Sequence, residues 1–292
     1  MKLALNWKPE PQFGGFYAAQ VSGFDKKNGI ELDILPGGAG TPVVQMVAAG
    51  QASFGIASAD EVIMARSRGA DVVAIFAAYQ TNPQAIMAHE ERGFKTLAEV
   101  YGAEGTLAIQ KGLPYALFLE KKFREAKLPM KAKIVPYLGG IQNFLTDKTY
   151  SQQCFATSEP LAAAKQKSKA KAFLVADSGY NPYTTVVIVR GDVLKKNEDL
   201  VKSVVATVRA GWEDYLSKPE ATNKKMAELN KSMDAETFRE SAEAQKYLIQ
   251  TVQTKASGLG SMSEARWKVL IDQLVDLKVV KTPAETLTHF RN

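Results

Sequence analysis

The sequence has one cysteine, Cys154, and two histidines in 292 residues. A single thiol excludes an internal disulfide and a multi-cysteine metal site within one chain. Neither histidine sits in a recognisable triad or zinc motif, and His89, with no second ligand near it in sequence, reads as a surface residue. No apolar run reaches the roughly 18 residues that a transmembrane helix needs. Repeats and low-complexity tracts are missing. Neither sign of charge dominates: 37 Lys and Arg against 31 Asp and Glu leave +6, with a pI near 9.1. The basic residues are spread over helices, as in Lys121, Lys122 and Arg124, which suits solvated faces better than a nucleic-acid surface. A phosphate loop is missing too. Pro36-Gly37-Gly38-Ala39-Gly40-Thr41-Pro42 is rich in glycine but has no Walker Lys-Ser/Thr and no G-x-G-x-x-G. No export segment precedes Met1-Lys2, so the expectation is a chain whose leader has been removed or a cytoplasmic one.

What is present is 46% hydrophobic, enough for two lobes of roughly 100–200 residues or one large α/β domain. Leu3-Ala4-Leu5 opens as a strand and runs into Asn6 and Trp7. Phe13, Phe16/Tyr17, Val21 and Phe24 then fall at helical spacing, ending at Asn28-Gly29. Ile30–Leu35 alternates as a half-buried strand. The glycine-rich loop follows, in which Thr41 is placed to cap a helix over Val43–Gly50 and Gly38 to let a backbone amide approach a ligand. Ala52–Ala57 is a buried strand. Ser58 with Glu61 makes a capping box for a helix over Asp60–Arg68. Asp60 complements that helix's dipole or faces a ligand. Val72–Ala78 is an apolar strand that ends in Tyr79-Gln80-Thr81-Asn82-Pro83, the first crossing segment.

Ala85–Ala88 and Thr106–Gln110 are strands, and the latter leads into Lys111-Gly112-Leu113-Pro114 and an amphipathic helix. A strand end meeting a helix start is where open α/β sheets bind ligands, so Gln110 and Lys111 are expected to point at one. Ala132–Pro136 is a strand, and Tyr137-Leu138-Gly139-Gly140 opens a helix through Leu145. Gln153–Thr157 is a strand that ends in Ser158-Glu159-Pro160. Glu159 there either pairs with a donor on a ligand or compensates the helix dipole. Ala172–Ala176 is a strand, Asp177–Tyr183 is the return crossing, and Thr184–Val189 is a β-branched buried strand. Everything after Gly191 reads helical. Asp234 serves as a cap, Ser261 with Glu264 as a capping box, and Thr282-Pro283-Ala284-Glu285 as the start of the last helix. Trp212 and Trp267 lie on apolar stripes and are assigned to packing.

Three stretches carry a resemblance. Asn6, Trp7, Pro9, Gly14, Gly15 and Tyr17 in Leu3–Tyr17, the run AAGQASFGIASADE within Val43–Asp60, and Glu159-Pro160 after the strand from Gln153 resemble periplasmic substrate-binding proteins of the thiamine-precursor (NMT1/THI5-like) and nitrate/sulfonate type. Phe13 stands where many thiamine-precursor relatives carry a histidine. The resemblance implies an α/β two-lobed type II clamshell with a helical C-terminus: 1–81 plus 184–292 as one lobe, 82–183 as the other, and a ligand cleft between them. It further implies no catalysis, cofactor or metal, an extracytoplasmic monomer, and an ABC permease as partner, with no nucleic acid and no membrane contact beyond a lipid anchor on a removed leader.

On this reading Trp7 and a tyrosine (Tyr79, Tyr137 or Tyr183) sandwich a flat ring, with Phe13 and Tyr17 nearby. Asn6, Gln80, Gln110, Ser58, Asp60, Ser158 and Glu159 read its edge, and Gly38, Gly139 and Gly140 offer backbone amides. The expected solute is a small flat nitrogen heterocycle, either a thiamine pyrimidine precursor or flavin-like; the alternative is a sulfonate- or nitrate-type anion. A further alternative is an enzyme like the fungal pyrimidine-precursor synthases of the same superfamily. Those are understood to use a histidine and a cysteine-rich iron-linked segment, and the stretch before His89 has no histidine.

Overall fold

The computed structural model of the protein describes residues 1–38 and 40–281. The chain forms two units. One comprises Met1–Thr81, Pro182–Val275 and the segment from Val280; the other comprises Asn82–Asn181 and Asp276–Val279. The strands among the described residues are β1 (Lys2–Ala4), β2 (Asp33–Leu35), β3 (Phe54–Ala57), β4 (Val72–Tyr79), β5 (Gln84–His89), β6 (Thr106–Ile109), β7 (Lys133–Pro136), β8 (Tyr150–Phe155), β9 (Ala170–Leu174) and β10 (Thr184–Arg190).

The first unit holds a mixed sheet in the order β2-β1-β3-β10-β4. β1 runs parallel to β2 and β3, and β10 runs antiparallel to both β3 and β4. The first four strands therefore all end at one edge, where β10 begins. β4 and β10 are near-continuous apolar runs because both faces of this sheet are covered; every residue of β4 is buried. One cover is the helix Gly14–Val21 against the helix Glu198–Ser217. Two glycines let these helices meet. A Cβ on Gly15 would lie 2.2 Å from the Trp212 ring, and one on Gly211 would lie 2.1 Å from the Gly15 carbonyl oxygen. Trp212 is fully buried, with Phe16, Tyr79 and Tyr215 edge-on to it at 5.8, 6.4 and 6.1 Å. Trp267 is buried beside Tyr183. Both indoles are packing residues, as their helical spacing predicts.

The second unit holds the sheet β7-β6-β8-β5-β9. β6 is parallel to β7 and β8, and β5 is antiparallel to β8 and β9. β6, β7, β8 and β9 thus end at one edge, where β5 starts. The helix Pro114–Glu125 buries Tyr115, Ala116, Leu119 and Phe123, close to the amphipathic stripe expected.

Several expectations are corrected. The helix expected from Phe13 is a 3-10 turn, Pro11–Phe13, then Gly14–Val21 and a short Phe24–Lys27, broken at Gly23 with φ 70°. The strand over Ile30–Leu35 contracts to β2. Ile30 and Leu32 are buried, but their N–H groups bond the backbone and carboxylate of Asp25 (2.9 and 3.3 Å), leaving no ladder bond to make. β8 starts three residues earlier than Gln153 and stops at Phe155, where the Ser158 N–H turns back onto the Phe155 carbonyl (3.0 Å). Gly139 and Gly140 take φ of 92° and 72°, so the helix expected from them begins only at Gln142.

Thr41 does not cap the following helix. Its Oγ1 accepts the Gly38 N–H instead (2.9 Å), and Pro42 holds the cap position. His89 is no surface residue. It is 2% exposed and stacked on Phe144 at 3.9 Å, with Nε2 2.8 Å from the Phe144 carbonyl oxygen. Ser261 forms no capping box with Glu264, because its hydroxyl is buried without a partner. Asp234 does cap, accepting from the Thr237 N–H at 2.9 Å. The start of the last helix at 282–285 lies outside the described residues. Among the described residues no helix is long and apolar enough to cross a membrane.

Candidate functional site

A sheet of this kind leaves its unpaired loops and ligand-facing side chains at the strand ends. In the first unit, β1 delivers Asn6 and Trp7 to that edge. Trp7 is 38% exposed, whereas Trp212 and Trp267 are at 0% and 1%. Its Nε1 donates to Glu10 Oε1 (3.2 Å), and Gln12 Nε2 holds the other Glu10 oxygen (3.1 Å). This chain of bonds fixes the plane of an indole that the core does not cover. Burial pushes the Glu10 carboxyl above its ordinary value, and the bonds from Gln12 and Trp7 partly pull it back. Asn6 is half-buried and lines a 640 Å³ cavity of this unit with Thr41, Pro42, Glu61 and Arg68.

Several residues expected at this edge are not available to a ligand. Phe13 and Tyr17 are each 2% exposed. The Tyr17 hydroxyl finds no partner, and burial pushes it up to about 12. Tyr79 is fully buried and its hydroxyl bonds Gln245 Oε1. Gln80 is buried and donates to the Ala77 and Ser261 carbonyls (3.2 and 3.1 Å). Tyr183 is buried, accepts the Ser263 N–H (3.1 Å), and carries the Arg266 guanidinium 3.8 Å above its ring. Tyr79 and Tyr183, at the end of β4 and just before β10, are covered at 0% and 1% exposure, so neither can serve as the second plate of a ring sandwich in this structure. Ser58 and Asp60 are half-buried. The Ser58 N–H donates to Glu61 Oε2 (2.8 Å) and its hydroxyl lies beside the Asp60 carboxylate, so this pair serves the helix Ala59–Arg66. The Gly38 amide is taken by Thr41.

The second unit gathers more of the expected residues. The ends of β6 and β7 enclose a 360 Å³ cavity lined by Gln110, Lys111, Gly112, Leu113 and Tyr137 among others. Gln110 is exposed, and its backbone N–H donates to Gln153 Oε1 (2.6 Å). Gln153 Nε2 donates to Gln110 Oε1 (2.9 Å), and the Tyr115 hydroxyl donates to Gln153 Oε1 (2.6 Å). Tyr137 is half-buried, and its hydroxyl reaches the Gly140 carbonyl (3.3 Å) and Glu159 Oε1 (3.4 Å). Burial raises the Tyr137 hydroxyl, with the Glu159 charge adding to it. Glu159 Oε2 accepts the Phe155 N–H (2.8 Å). Its carboxylate is thus engaged on both oxygens by groups of this unit. Gly139 and Gly140 are exposed with open space where a side chain would go. Ser158 is half-buried at the cap position without a side-chain cap bond.

Sequence reasoning missed Gln152, Gln153 and Tyr115 as the residues that hold this edge. Gln152 Nε2 donates to the Gly140 carbonyl (2.9 Å), and both glutamines are buried. The signal was in plain view: two adjacent amides inside a central strand must find partners, since a buried unbonded amide costs about 1–3 kcal/mol. Cys154 beside them is buried, and burial pushes its thiol well up, which disfavours thiolate chemistry. Among the described residues no cluster of His, Cys, Asp and Glu is placed to hold a metal ion.

Comparison with known proteins places this geometry in a wider set. A family model described as NMT1/THI5 like matches residues 10–222. No curated protein matches the sequence. The fold is similar to the periplasmic aliphatic sulphonate binding protein SsuA from Escherichia coli, with a TM-score of 0.73 and 15% identity over 100% of this chain and 92% of that one. The alkanesulfonate-binding protein SsuA from Xanthomonas axonopodis pv. citri bound to MOPS is similar at 0.68 and 12%, over 100% and 97%. The desulfurization enzyme DSZB is similar at 0.62 and 15%, over 99% and 96%. The architecture is therefore that of the periplasmic binding proteins.

Proposed function

Taking as premise that the chain belongs to the NMT1/THI5-like family, whose model spans more than half of it, we propose that it is the extracytoplasmic solute-binding component of an ABC importer. One small flat solute is bound per chain and handed to a permease. The observation that carries this reading is Trp7: of the three tryptophans it alone keeps an exposed face, and a bonded carboxylate holds its plane. Stacking of a flat ring on an aromatic face is worth about 1–3 kcal/mol, enough to select a heterocycle such as a thiamine pyrimidine precursor or a flavin. A second reading, an organic sulfonate or a similar anion, is favoured by Gln110 and Lys111 at the cavity of the second unit and by the sulfonate-binding proteins of the same fold.

Binding fits these residues better than catalysis. The one thiol is buried and its pKa is raised, and His89 is locked between a phenyl ring and backbone carbonyls.

The test is a thermal-shift screen of the full chain against thiamine pyrimidines, flavins, sulfonates and oxyanions, followed by calorimetry on the hits. A ligand that binds only the folded state raises the melting point. A hit with a stoichiometry of one supports the reading. Silence across all four classes sinks it.

A further inference from the structure

The bond pattern at the end of β6 settles which way the Gln110 amide faces. The Gln110 backbone N–H can only donate, so the Gln153 side-chain atom 2.6 Å from it is the carbonyl oxygen. The Tyr115 hydroxyl points at that same oxygen from 2.6 Å. The other end of the Gln153 amide must then be its NH2 group, which only donates. It lies 2.9 Å from the side chain of Gln110, and the atom it meets there must be Gln110 Oε1. That bond fixes the orientation of the Gln110 amide: its oxygen faces Gln153 with one lone pair engaged, and its NH2 group is the end turned away from Gln153. Gln110 is exposed and lines the 360 Å³ cavity, and Lys111 lines it from the next position.

We propose that Gln153 is a positioning residue that locks Gln110 as a donor, so that this cavity reads a hydrogen-bond acceptor, preferentially an anionic one, on the bound solute. The inference rests on the solute-binding reading above and deepens it, by specifying the polarity of the solute's end rather than the identity of its ring. A free glutamine accepts donors and acceptors alike, because turning the amide over costs it nothing. The Gln153 bond removes that freedom. A solute that presents an amine here meets two N–H hydrogens and an ammonium, with only the second lone pair of the Gln110 oxygen to accept from it, and a donor left unpaired on binding is expensive. Discrimination of this kind, in which a site rejects by leaving polar groups unpaired, is stronger than discrimination by shape.

Two measurements on the full chain test the lock. The first is hydrogen exchange of the side-chain amides by NMR, with resonances assigned by their loss in Gln110→Glu and Gln153→Glu. The lock expects slow exchange for the Gln153 NH2 and fast exchange for that of Gln110. In Gln153→Glu above neutral pH the introduced carboxylate can only accept, so Gln110 turns over and its own NH2 becomes the slow one. Slow Gln110 protons in the wild type overturn the proposal without using any ligand.

The second measurement is calorimetry with benzenesulfonate and benzylammonium, a matched pair whose head groups only accept or only donate. Wild type is expected to bind the sulfonate and not the amine. Gln110→Glu, at an exposed position that leaves the fold intact, weakens the sulfonate at least tenfold and improves the amine. Gln153→Glu weakens the sulfonate by a similar factor. Sulfonate affinity unchanged within twofold in both variants, or no sulfonate binding by wild type, overturns the acceptor subsite. The screen of flavins and pyrimidines decides the solute-binding reading separately.

Discussion

Trp7 and Trp212 are the same residue type with opposite fates, and sequence position alone explains why. Trp212 falls on an apolar stripe of a twenty-residue helix and is sealed over Gly15. Trp7 follows a three-residue strand and sits above a polar turn whose Glu10 binds its nitrogen. Trp7→Ala is expected to weaken binding of the best flavin or pyrimidine hit at least tenfold, about 1.4 kcal/mol, with an unchanged melting point of the free protein. Equal affinities in calorimetry would remove the stacking role. The place of Trp7 at a strand end left stacking plate and core filler equally open, and the resemblance of Leu3–Tyr17 decided it; the exposure of Gln110 was legible from its strand end. The burial of Tyr79, Tyr183 and Tyr17 was not. Tyr79 ends β4 and Tyr183 precedes β10, and both are held by residues far along the chain, Gln245, Ser263 and Arg266, whose docking no local pattern encodes. His89 was misread for the same reason, because its partner Phe144 lies 55 positions away.

At the scale of elements, two devices carry predictions. The capping box at Ser58 holds the helix Ala59–Arg66, and loss of such a cap costs about 1 kcal/mol. Ser58→Ala should lower the denaturant midpoint accordingly while leaving solute affinity within twofold. A tenfold affinity loss would instead return Ser58 to the ligand. The second device is the glycine contact between the helices Gly14–Val21 and Glu198–Ser217. Gly211→Ala gains about 1 kcal/mol of helix propensity, but its methyl would lie 2.1 Å from a backbone oxygen that has no rotamer to escape by. Overpacking costs about 1–3 kcal/mol, so a net loss of about 0–2 kcal/mol is expected in urea unfolding, and a stabilised variant would contradict the close approach. The capping box at Ser58 and the strand cores were readable because they are local, whereas Ser261 was not, since its hydroxyl is buried. The early start of β8 and the shortening of β2 were not, since register is set by β5 in the first case and by the Asp25 side chain in the second.

For the whole molecule, tyrosine burial sets the alkaline limit. Burial raises Tyr17 from 10.0 to about 12. It also raises Tyr79, Tyr101, Tyr115 and Tyr215. A raised folded value means that the native state holds the proton more tightly than the unfolded chain does. The stability this confers is complete below pH 10 and is lost as pH rises through the folded values. The urea midpoint should therefore fall steeply between pH 10 and 12 and be nearly flat from 8 to 9.5 as far as tyrosines are concerned. A midpoint independent of pH up to 12 would mean that these hydroxyls ionise without unfolding.

The placement of β10 has a consequence for how the chain is born. β10 lies between β3 and β4, yet it is synthesised about a hundred residues after them. Until a ribosome has released Arg190, the first sheet lacks the strand that joins β3 to β4, and both of these apolar strands wait with an open edge. Asn82–Asn181, by contrast, is nearly a closed stretch of chain. The later-numbered unit is therefore the one able to fold first during translation, and the nascent N-terminal strands are the natural clients of a chaperone.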